Sequence, residues 1–296
     1  MKNSVNAGIG FLLIALACFA FLDTITKQVL LSVSILMVIW VRFVVQALLT
    51  TAVMLPRAGP SIFETQKPLA QLVRGSLLLL CTLLACNSLK FMPVGEFAAI
   101  SMTAPLFVTL LASRLLGEHV SGLRIALVIG GLFGALLIVR PGSAFGWAVV
   151  FPLLLVAANT AFQLLTSKLT VTEKSANTHF YSVWIGALLS SGLLFWGWQP
   201  IIDMQLLARL ILIGAAGAIG HFMLILAFEK APAATLMPYM YAQIAFAILG
   251  GWLFFDHFPD AISMIGVAII ALCGIAAGVL SVVERRKLNL VVSPLS

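Results

Sequence analysis

Residues 85–138 are ACNSLKFMPVGEFAAISMTAPLFVTLLASRLLGEHVSGLRIALVIGGLFGALLI, and residues 224–280 are LILAFEKAPAATLMPYMYAQIAFAILGGWLFFDHFPDAISMIGVAIIALCGIAAGVL. Each stretch has an apolar segment, a short break with Pro93 or Pro232, a second apolar segment, an acidic break and a Gly-rich apolar segment. A duplicated set of apolar segments is typical of membrane transporters, whose substrate site lies where the two halves meet.

The composition places the whole chain in the membrane. Hydrophobic residues make up 62% of the chain and charged residues 9%, against about 45–50% and about 25% in soluble domains. The mean hydropathy of +1.14 leaves too little polar surface to cover a soluble core. Long continuous apolar runs indicate helices, because a membrane barrel would show alternating segments of about ten residues.

The apolar runs predict an all-α membrane protein with ten transmembrane helices. Most lysines and arginines outside the runs fall on one side when the helices alternate in direction, which places both termini in the cytoplasm. Five spans per half is an odd number, so the second half enters the membrane in the opposite direction and the halves form an inverted repeat. The predicted spans are 7–28, 34–55, 73–91, 96–115, 122–140, 146–168, 178–198, 207–228, 233–254 and 260–282.

The predicted organisation has four parts. Residues 1–6 form a cytoplasmic N-terminus, residues 7–140 the first five-helix repeat, residues 146–282 the second repeat and residues 283–296 a basic cytoplasmic tail. Small residues four apart let helix backbones approach closely, so the pairs Gly130–Gly134 and Gly274–Gly278 indicate packing within the chain or, alternatively, a homodimer interface.

Several motifs resemble those of the drug/metabolite transporter superfamily, in the branch built from two EamA-type halves. The resemblance covers about residues 7–282 and includes Arg42-Phe43 and the run from Pro105 to Glu118. The stretches LDTITK and PYMYAQIAFAILGGWLFFDHFPD are similar to the riboflavin and S-adenosylmethionine uptake members. The resemblance implies a bacterial inner-membrane carrier of small metabolites that works by alternating access. It leaves an exporter of amino acids, metabolites or drugs as the alternative.

Two opposite charges are predicted at one depth in the first half. Asp23 lies roughly 22 Å from the inner end of span one, and Arg42 lies about 12 Å below the outer face in span two. Burying such groups in lipid is costly, so each needs a reason. One interpretation is a fixed ion pair between Asp23 and Arg42, or between Asp23 and Lys27. The other is that Arg42 binds a substrate carboxylate or phosphate while Asp23 binds a cation or a proton.

A second polar level is predicted around the spans of the other half. Aromatic and amide groups there would suit a flat heteroaromatic or zwitterionic substrate. Packing, hydrogen bonding between helices and the interfacial aromatic belt are the structural alternatives. The full set of predicted substrate-binding residues is Asp23, Trp40, Arg42, Asn87, Asn159, Gln163, Trp184, His221, Tyr239, Tyr241 and Gln243.

Other classes of function find little support in the sequence. No HExxH motif, paired carboxylates or Ser/His dyad indicates an enzyme, and no P-loop indicates nucleotide hydrolysis. No metal, cofactor or nucleic acid is predicted, while a coupling proton or other ion stays open, with Asp23 and His221 as protonation sites. A channel or a non-transport scaffold remains a remote alternative. The acidic residues Glu96, Glu118 and Asp256 are interpreted as helix-capping or loop residues.

Overall fold

The computed structural model describes residues 2–115, 122–139, 146–200 and 203–292. Across these ranges the secondary structure is helical, without a strand. The helices are α1 (Lys2–Val29), α2 (Ile35–Ala58), α3 (Pro68–Phe91), α4 (Val94–Ser101), α5 (Ala104–Leu115), α6 (Gly122–Val139), α7 (Val150–Leu169), α8 (Ser175–Leu193), α9 (Met204–Lys230), α10 (Ala233–Leu236), α11 (Ala242–Phe255) and α12 (Ala261–Val292).

Within the described ranges, eight helical segments are long and apolar enough to cross a membrane, and two shorter apolar segments cover Val94–Val108 and Ile125–Ile138. Local signals in the sequence set several helix ends. Ser34 caps α2 by accepting from the Met37 amide at 3.3 Å, and Asp203 caps α9 by accepting from the Gln205 amide at 2.9 Å. Pro68 occupies the first position of α3, where its missing N–H costs no helical hydrogen bond.

Two predicted spans are interrupted, which corrects the prediction that each is one helix. The predicted span 96–115 consists of α4 and α5, separated by a turn at Met102 and Thr103. Pro105 follows this turn and supplies no N–H for a continuous helix. The predicted span 233–254 begins with α10, passes through a 3-10 turn at Met237–Tyr241 that contains Pro238, and continues as α11.

The last helix also extends beyond its predicted end, because α12 continues to Val292 instead of stopping at residue 282. Two of the three acidic residues at the breaks lie at helix ends, as expected. Asp256 ends α11 in the left-handed conformation, with φ of 51°, so its backbone forms the C-cap. Glu96 lies in the first turn of α4 and bonds to His257 at 3.0 Å. Glu118 lies outside the described residues.

Hydrogen bonds between helix ends define two faces of the bundle. On one face, the backbone amides of Gln66 and Lys67 donate to Glu173, and Ser175 donates to Glu229 at 2.5 Å. We call this the N-terminal face, because Gly8 of α1 packs beside Ala231 at the end of α9. The opposite face holds the Glu96–His257 bond, the bonds from Lys27 to the carbonyls of Leu89 and Met92, and the bond from Ser34 to Gly197.

Candidate functional site

A cavity of about 120 Å³ lies inside the bundle, between helices from both parts of the chain. Its walls come from α1, α2, α3, α4, α7, α9 and α11, together with the 3-10 turn before α11. Both interrupted spans reach the cavity at their breaks, through Ser101 and Met102 in one and Met240 in the other. Interrupted helices that face a cavity are typical of substrate sites in transporters.

Six of the eleven predicted site residues line this cavity. They come from five helices that are far apart in sequence, so only the fold brings them together. These residues are Asp23, Arg42, Asn159, Gln163, His221 and Gln243. The structure therefore places the predicted first-half pair and part of the predicted second polar level around one space.

Arg42 is bonded to His221, not to Asp23. The Arg42 Nη2 atom lies 3.3 Å from His221 Nε2, and Arg42 and Asp23 approach no closer than the 4.0 Å limit of an ion pair. Asp23 and Gln243 both line the cavity that Arg42 also lines. The alternative Asp23–Lys27 pair is also absent between these described residues, because Lys27 donates to the Leu89 and Met92 carbonyls at 2.9 and 2.8 Å. Neither predicted pair therefore forms a direct ion pair within 4.0 Å between these described residues, although the charges of Asp23 and Arg42 interact across the cavity.

The Arg42–His221 bond defines the state of the imidazole. A guanidinium has donors and no acceptor, so His221 Nε2 must accept, and the proton of a neutral ring then sits on Nδ1. Phe19 and Phe162 lie against the ring, with centroid distances of 4.8 and 6.2 Å. Protonating His221 would turn its Nε2 atom into a donor and break the bond to Arg42.

Several polar atoms of the cavity wall have no hydrogen-bond partner among the described residues. They are Arg42 Nε, Gln163 Oε1, His221 Nδ1 and Ser101 Oγ. Buried polar atoms in native proteins are almost always paired, so an unpaired set around one space indicates a place for a polar ligand or ordered water. Most of the remaining wall is apolar and includes Phe19, Phe97 and Phe162.

Five predicted site residues lie elsewhere. Trp40 donates to Ser191 at 2.9 Å, Trp184 donates to Thr51 at 2.9 Å, and Asn87 donates to the Leu83 carbonyl of its own helix at 2.8 Å. These three bonds are structural contacts of the helices. Tyr239 is 42% exposed, and the buried Tyr241 ring packs against Gly274.

Several polar residues in or near the cavity wall are not among the residues predicted from the sequence. Thr82 and Ser101 line the cavity, and Arg74 contacts Phe162 in its wall. Arg74 is one of the basic residues near helix ends that the sequence predicts on the cytoplasmic side, yet it is 1% exposed. Its position six residues inside α3, about 9 Å from the helix start, is the signal that could have identified it.

Comparison with known proteins gives the family. The EamA-like transporter family matches residues 6–140. A riboflavin transporter of Rhizobium johnstonii is 31% identical over 220 residues, which cover 73% of this chain and 72% of that protein. The chain belongs to the EamA-like transporter family. Within the drug/metabolite transporter superfamily, it is thus a multi-pass membrane transporter of small molecules.

Two further relatives show the breadth of this EamA family. An S-adenosylmethionine uptake transporter of Rickettsia conorii is 25% identical over 267 residues, covering 89% of each chain. A pseudopaline exporter of Pseudomonas aeruginosa is 26% identical over 276 residues, covering 90% of this chain and 95% of that protein. A solved crystal structure shares the fold, with a TM-score of 0.68 at 18% identity over 97% of this chain and 99% of that chain.

Proposed function

We propose that this EamA-family protein is a secondary transporter that moves a flat heteroaromatic metabolite by alternating access, with riboflavin as the first candidate. The observation that carries the proposal is the cavity in which Arg42 and Asp23 meet His221 and Gln243 within mainly apolar walls. A flavin ring has broad apolar faces and an imide edge that carries both acceptors and a donor. The faces suit the phenylalanine and leucine walls, while the edge suits Arg42 Nε and Gln163 Oε1.

The size of the cavity supports a mechanism with closed and open states. A volume of about 120 Å³ accommodates several water molecules, whereas sites for drug-sized ligands usually measure about 300–1,000 Å³. A flavin therefore enters only when the surrounding helices separate. Hydrogen bonds join helix ends on both faces of the bundle, and these are the contacts that we expect to change as the helices separate.

The proposed architecture is ten passes in two inverted repeats, residues 7–140 and 146–282. If the halves are related by a twofold axis in the membrane plane, each contact between them has a counterpart with the roles exchanged. Helix packing has this property. The counterpart of the contact between α1 and α9 is the contact between α3 and α7, and the counterpart of the contact between α2 and α9 is the contact between α3 and α8. Pairs of equivalent helices also meet, namely α2 with α8, α4 with α11 and α6 with α12.

We place the protein in a bacterial inner membrane with both termini in the cytoplasm, so that the N-terminal face is the cytoplasmic one. Fusing reporters to residues 1 and 296 tests this placement, since reporters on opposite sides of the membrane would contradict an even number of passes. A proton, received by Asp23 or His221, is the proposed coupling ion. A homodimer remains an alternative arrangement, although Gly130, Gly134, Gly274 and Gly278 all face side chains or backbone of this same chain.

S-adenosylmethionine is the second candidate substrate. Asp23 offers a carboxylate that a sulfonium or ammonium group could approach, and a relative of 25% identity carries this transport name. Net export is the alternative direction, since a relative of similar identity is named as an exporter.

Counterflow in proteoliposomes separates these candidates. Vesicles are loaded with unlabelled riboflavin, S-adenosylmethionine or an amino-acid mixture, and uptake of the matching labelled compound is measured. We expect riboflavin inside to accelerate entry of labelled riboflavin, because a carrier returns faster with substrate bound. Acceleration by S-adenosylmethionine alone would select the second candidate, and no acceleration by any of them would reject a carrier for these classes.

A further inference from the structure

Arg74 is a buried cation that the proposed mechanism does not use. It lies on α3, is 1% exposed, and sits on the N-terminal-face side of the cavity, six residues from the start of its helix. Its Cζ atom lies 4.6 Å from the centre of the Phe162 ring. Phe162 also lines the cavity, so Arg74 contacts a residue of the cavity wall without lining the cavity itself.

The hydrogen-bond partners of Arg74 are neutral oxygens from two other helices. Its Nε atom donates to Thr166 Oγ1 of α7 at 2.9 Å, and its Nη1 atom donates to the Thr178 carbonyl of α8 at 3.3 Å and to Ser182 Oγ. Within the described part of the chain, no carboxylate lies within the 4.0 Å of an ion pair. A buried guanidinium without a counter-ion is costly, so its retention calls for a function.

The surroundings of Arg74 form a buried polar layer. Gln71 donates to Thr178 Oγ1 at 3.3 Å, and Thr50 bonds to His179 at 3.0 Å. Gln71 is 0% exposed, and its Oε1 atom has no partner among the described residues. These neighbours carry no acidic group. The described buried acids serve other contacts: Asp23 lines the cavity, Glu96 bonds to His257 on the opposite face, and Glu173 on the N-terminal face accepts from the backbone amides of Gln66 and Lys67.

We propose that Arg74 is a second solute-recognition position, reached after the Arg42 cavity on the way to the N-terminal face, and that it binds a carboxylate or phosphate group where the solute carries one, as flavin mononucleotide and S-adenosylmethionine do and riboflavin does not. This inference rests on the proposed transport function. When the ends of α7 and α8 move away from α3, the three neutral oxygens leave the guanidinium, which then needs a new acceptor. An anionic oxygen passing Phe162 supplies one in a two-point geometry that a lysine cannot offer.

The competing interpretation is that the hydrogen bonds of Arg74 only stabilise the packing of α3 against α7 and α8. The two roles predict different results for an anionic probe. If Arg74 were purely structural, removing its partners or its charge would change stability and transport of all substrates alike. If it binds an anion, removing its charge weakens the anionic probe selectively, while removing its neutral partners strengthens that probe.

Riboflavin and flavin mononucleotide provide the probes, because they share the ring and differ by one phosphate. Riboflavin counterflow is measured in vesicles of one orientation while flavin mononucleotide is added at the N-terminal face. We expect inhibition of the wild-type protein from this face, and at least a tenfold higher half-inhibitory concentration for Arg74→Gln. The double variant Thr166→Val/Ser182→Ala should show a lower half-inhibitory concentration. Arg209→Gln is the matched control, because it removes one positive charge that is exposed near the start of α9.

Unchanged inhibition in Arg74→Gln, or weaker inhibition in the double variant, would overturn the inference. Arg74→Lys serves if the glutamine variant does not reach the membrane, and it should retain part of the inhibition. If S-adenosylmethionine proves to be the substrate, its decarboxylated form replaces riboflavin as the comparison that lacks an anionic group, and Arg74→Gln should weaken only the carboxylate-bearing compound. If the wild-type protein transports neither, the proposed substrate class and the Arg74 site both fail.

Discussion

The side chain of Arg42 on α2 bonds to His221 on α9, with 3.3 Å between Nη2 and Nε2, and so links the first half of the chain to the second inside the cavity. The bond leaves Arg42 Nε free to donate and requires a neutral imidazole. Substrate binding and protonation therefore act on the same pair of side chains. This arrangement makes Arg42 the residue on which transport should depend most.

Replacing Arg42 should abolish transport without removing the protein from the membrane. Arg42→Ala deletes a buried charged partner, a change that typically costs about 2–5 kcal/mol, and each 1.4 kcal/mol corresponds to about a factor of ten. We expect initial counterflow to fall more than about tenfold. Arg42→Lys should recover little, because a lysine lacks the planar fork. Normal uptake at equal membrane abundance would remove Arg42 from the site.

Asp23 should make uptake sensitive to a pH gradient. Its carboxylate lines the cavity, and we propose that it gains and loses a proton during the cycle. We expect wild-type uptake to rise when the outer solution is made acidic, and Asp23→Asn uptake to be independent of the gradient. Counterflow of Asp23→Asn at equal pH on both sides serves as the control. A full response to the gradient in that variant would exclude Asp23 as the proton site.

Two asparagines offer a matched test of the cavity. Asn159 lines it, whereas Asn87 donates to the Leu83 carbonyl of its own helix. We expect Asn159→Ala to raise the substrate concentration needed for half-maximal transport several-fold and Asn87→Ala to leave it unchanged. Tyr239→Ala should behave like Asn87→Ala, because Tyr239 is exposed outside the cavity. Equal effects of all three substitutions would mean that the substrate binds elsewhere.

Gly274 should be intolerant of even one methyl group. A Cβ atom there would overlap the Tyr241 ring, while a Cβ atom at Gly10 would meet nothing within 4 Å. Overpacking costs about 1–3 kcal/mol, whereas alanine is favoured over glycine in an open helical position by about 1 kcal/mol. In detergent, Gly274→Ala should lower the apparent Tm and Gly10→Ala should not. A Tm drop for both would show that local packing is not the cause.

Depth along a helix was predictable from the sequence, but the direction of a side chain was not. A rise of about 1.5 Å per residue placed Asp23 and Arg42 at one level, and both line the cavity. Trp40 and Trp184 were assigned by the same reasoning, yet they bond to Ser191 and Thr51. In a chain this apolar, the polar stripe that would mark the inner face of a helix is too weak to orient a side chain.

The two helix breaks were only partly visible in the sequence. Pro105 and Pro238 are the local signals, but proline is common in transmembrane helices, where neighbouring helices can satisfy the freed backbone groups. Arg74 was missed for a related reason. A basic residue near a helix end contributes to the orientation of the protein in the membrane whether it is exposed or buried. Only packing against α7 and α8 decides that it is buried.

The crossing of α6 and α12 has a consequence for the transport cycle. A Cβ atom on Gly134 would lie 2.8 Å from the Gly266 carbonyl oxygen, so the two backbones touch directly. The side chains of Ile138 and Ile270 also pack into this crossing, and α6 contributes no wall residue to the cavity. A bulky substitution here would change the proportions of the inward-open and outward-open conformations, and thus the turnover rate. It would leave the residues that line the cavity unchanged.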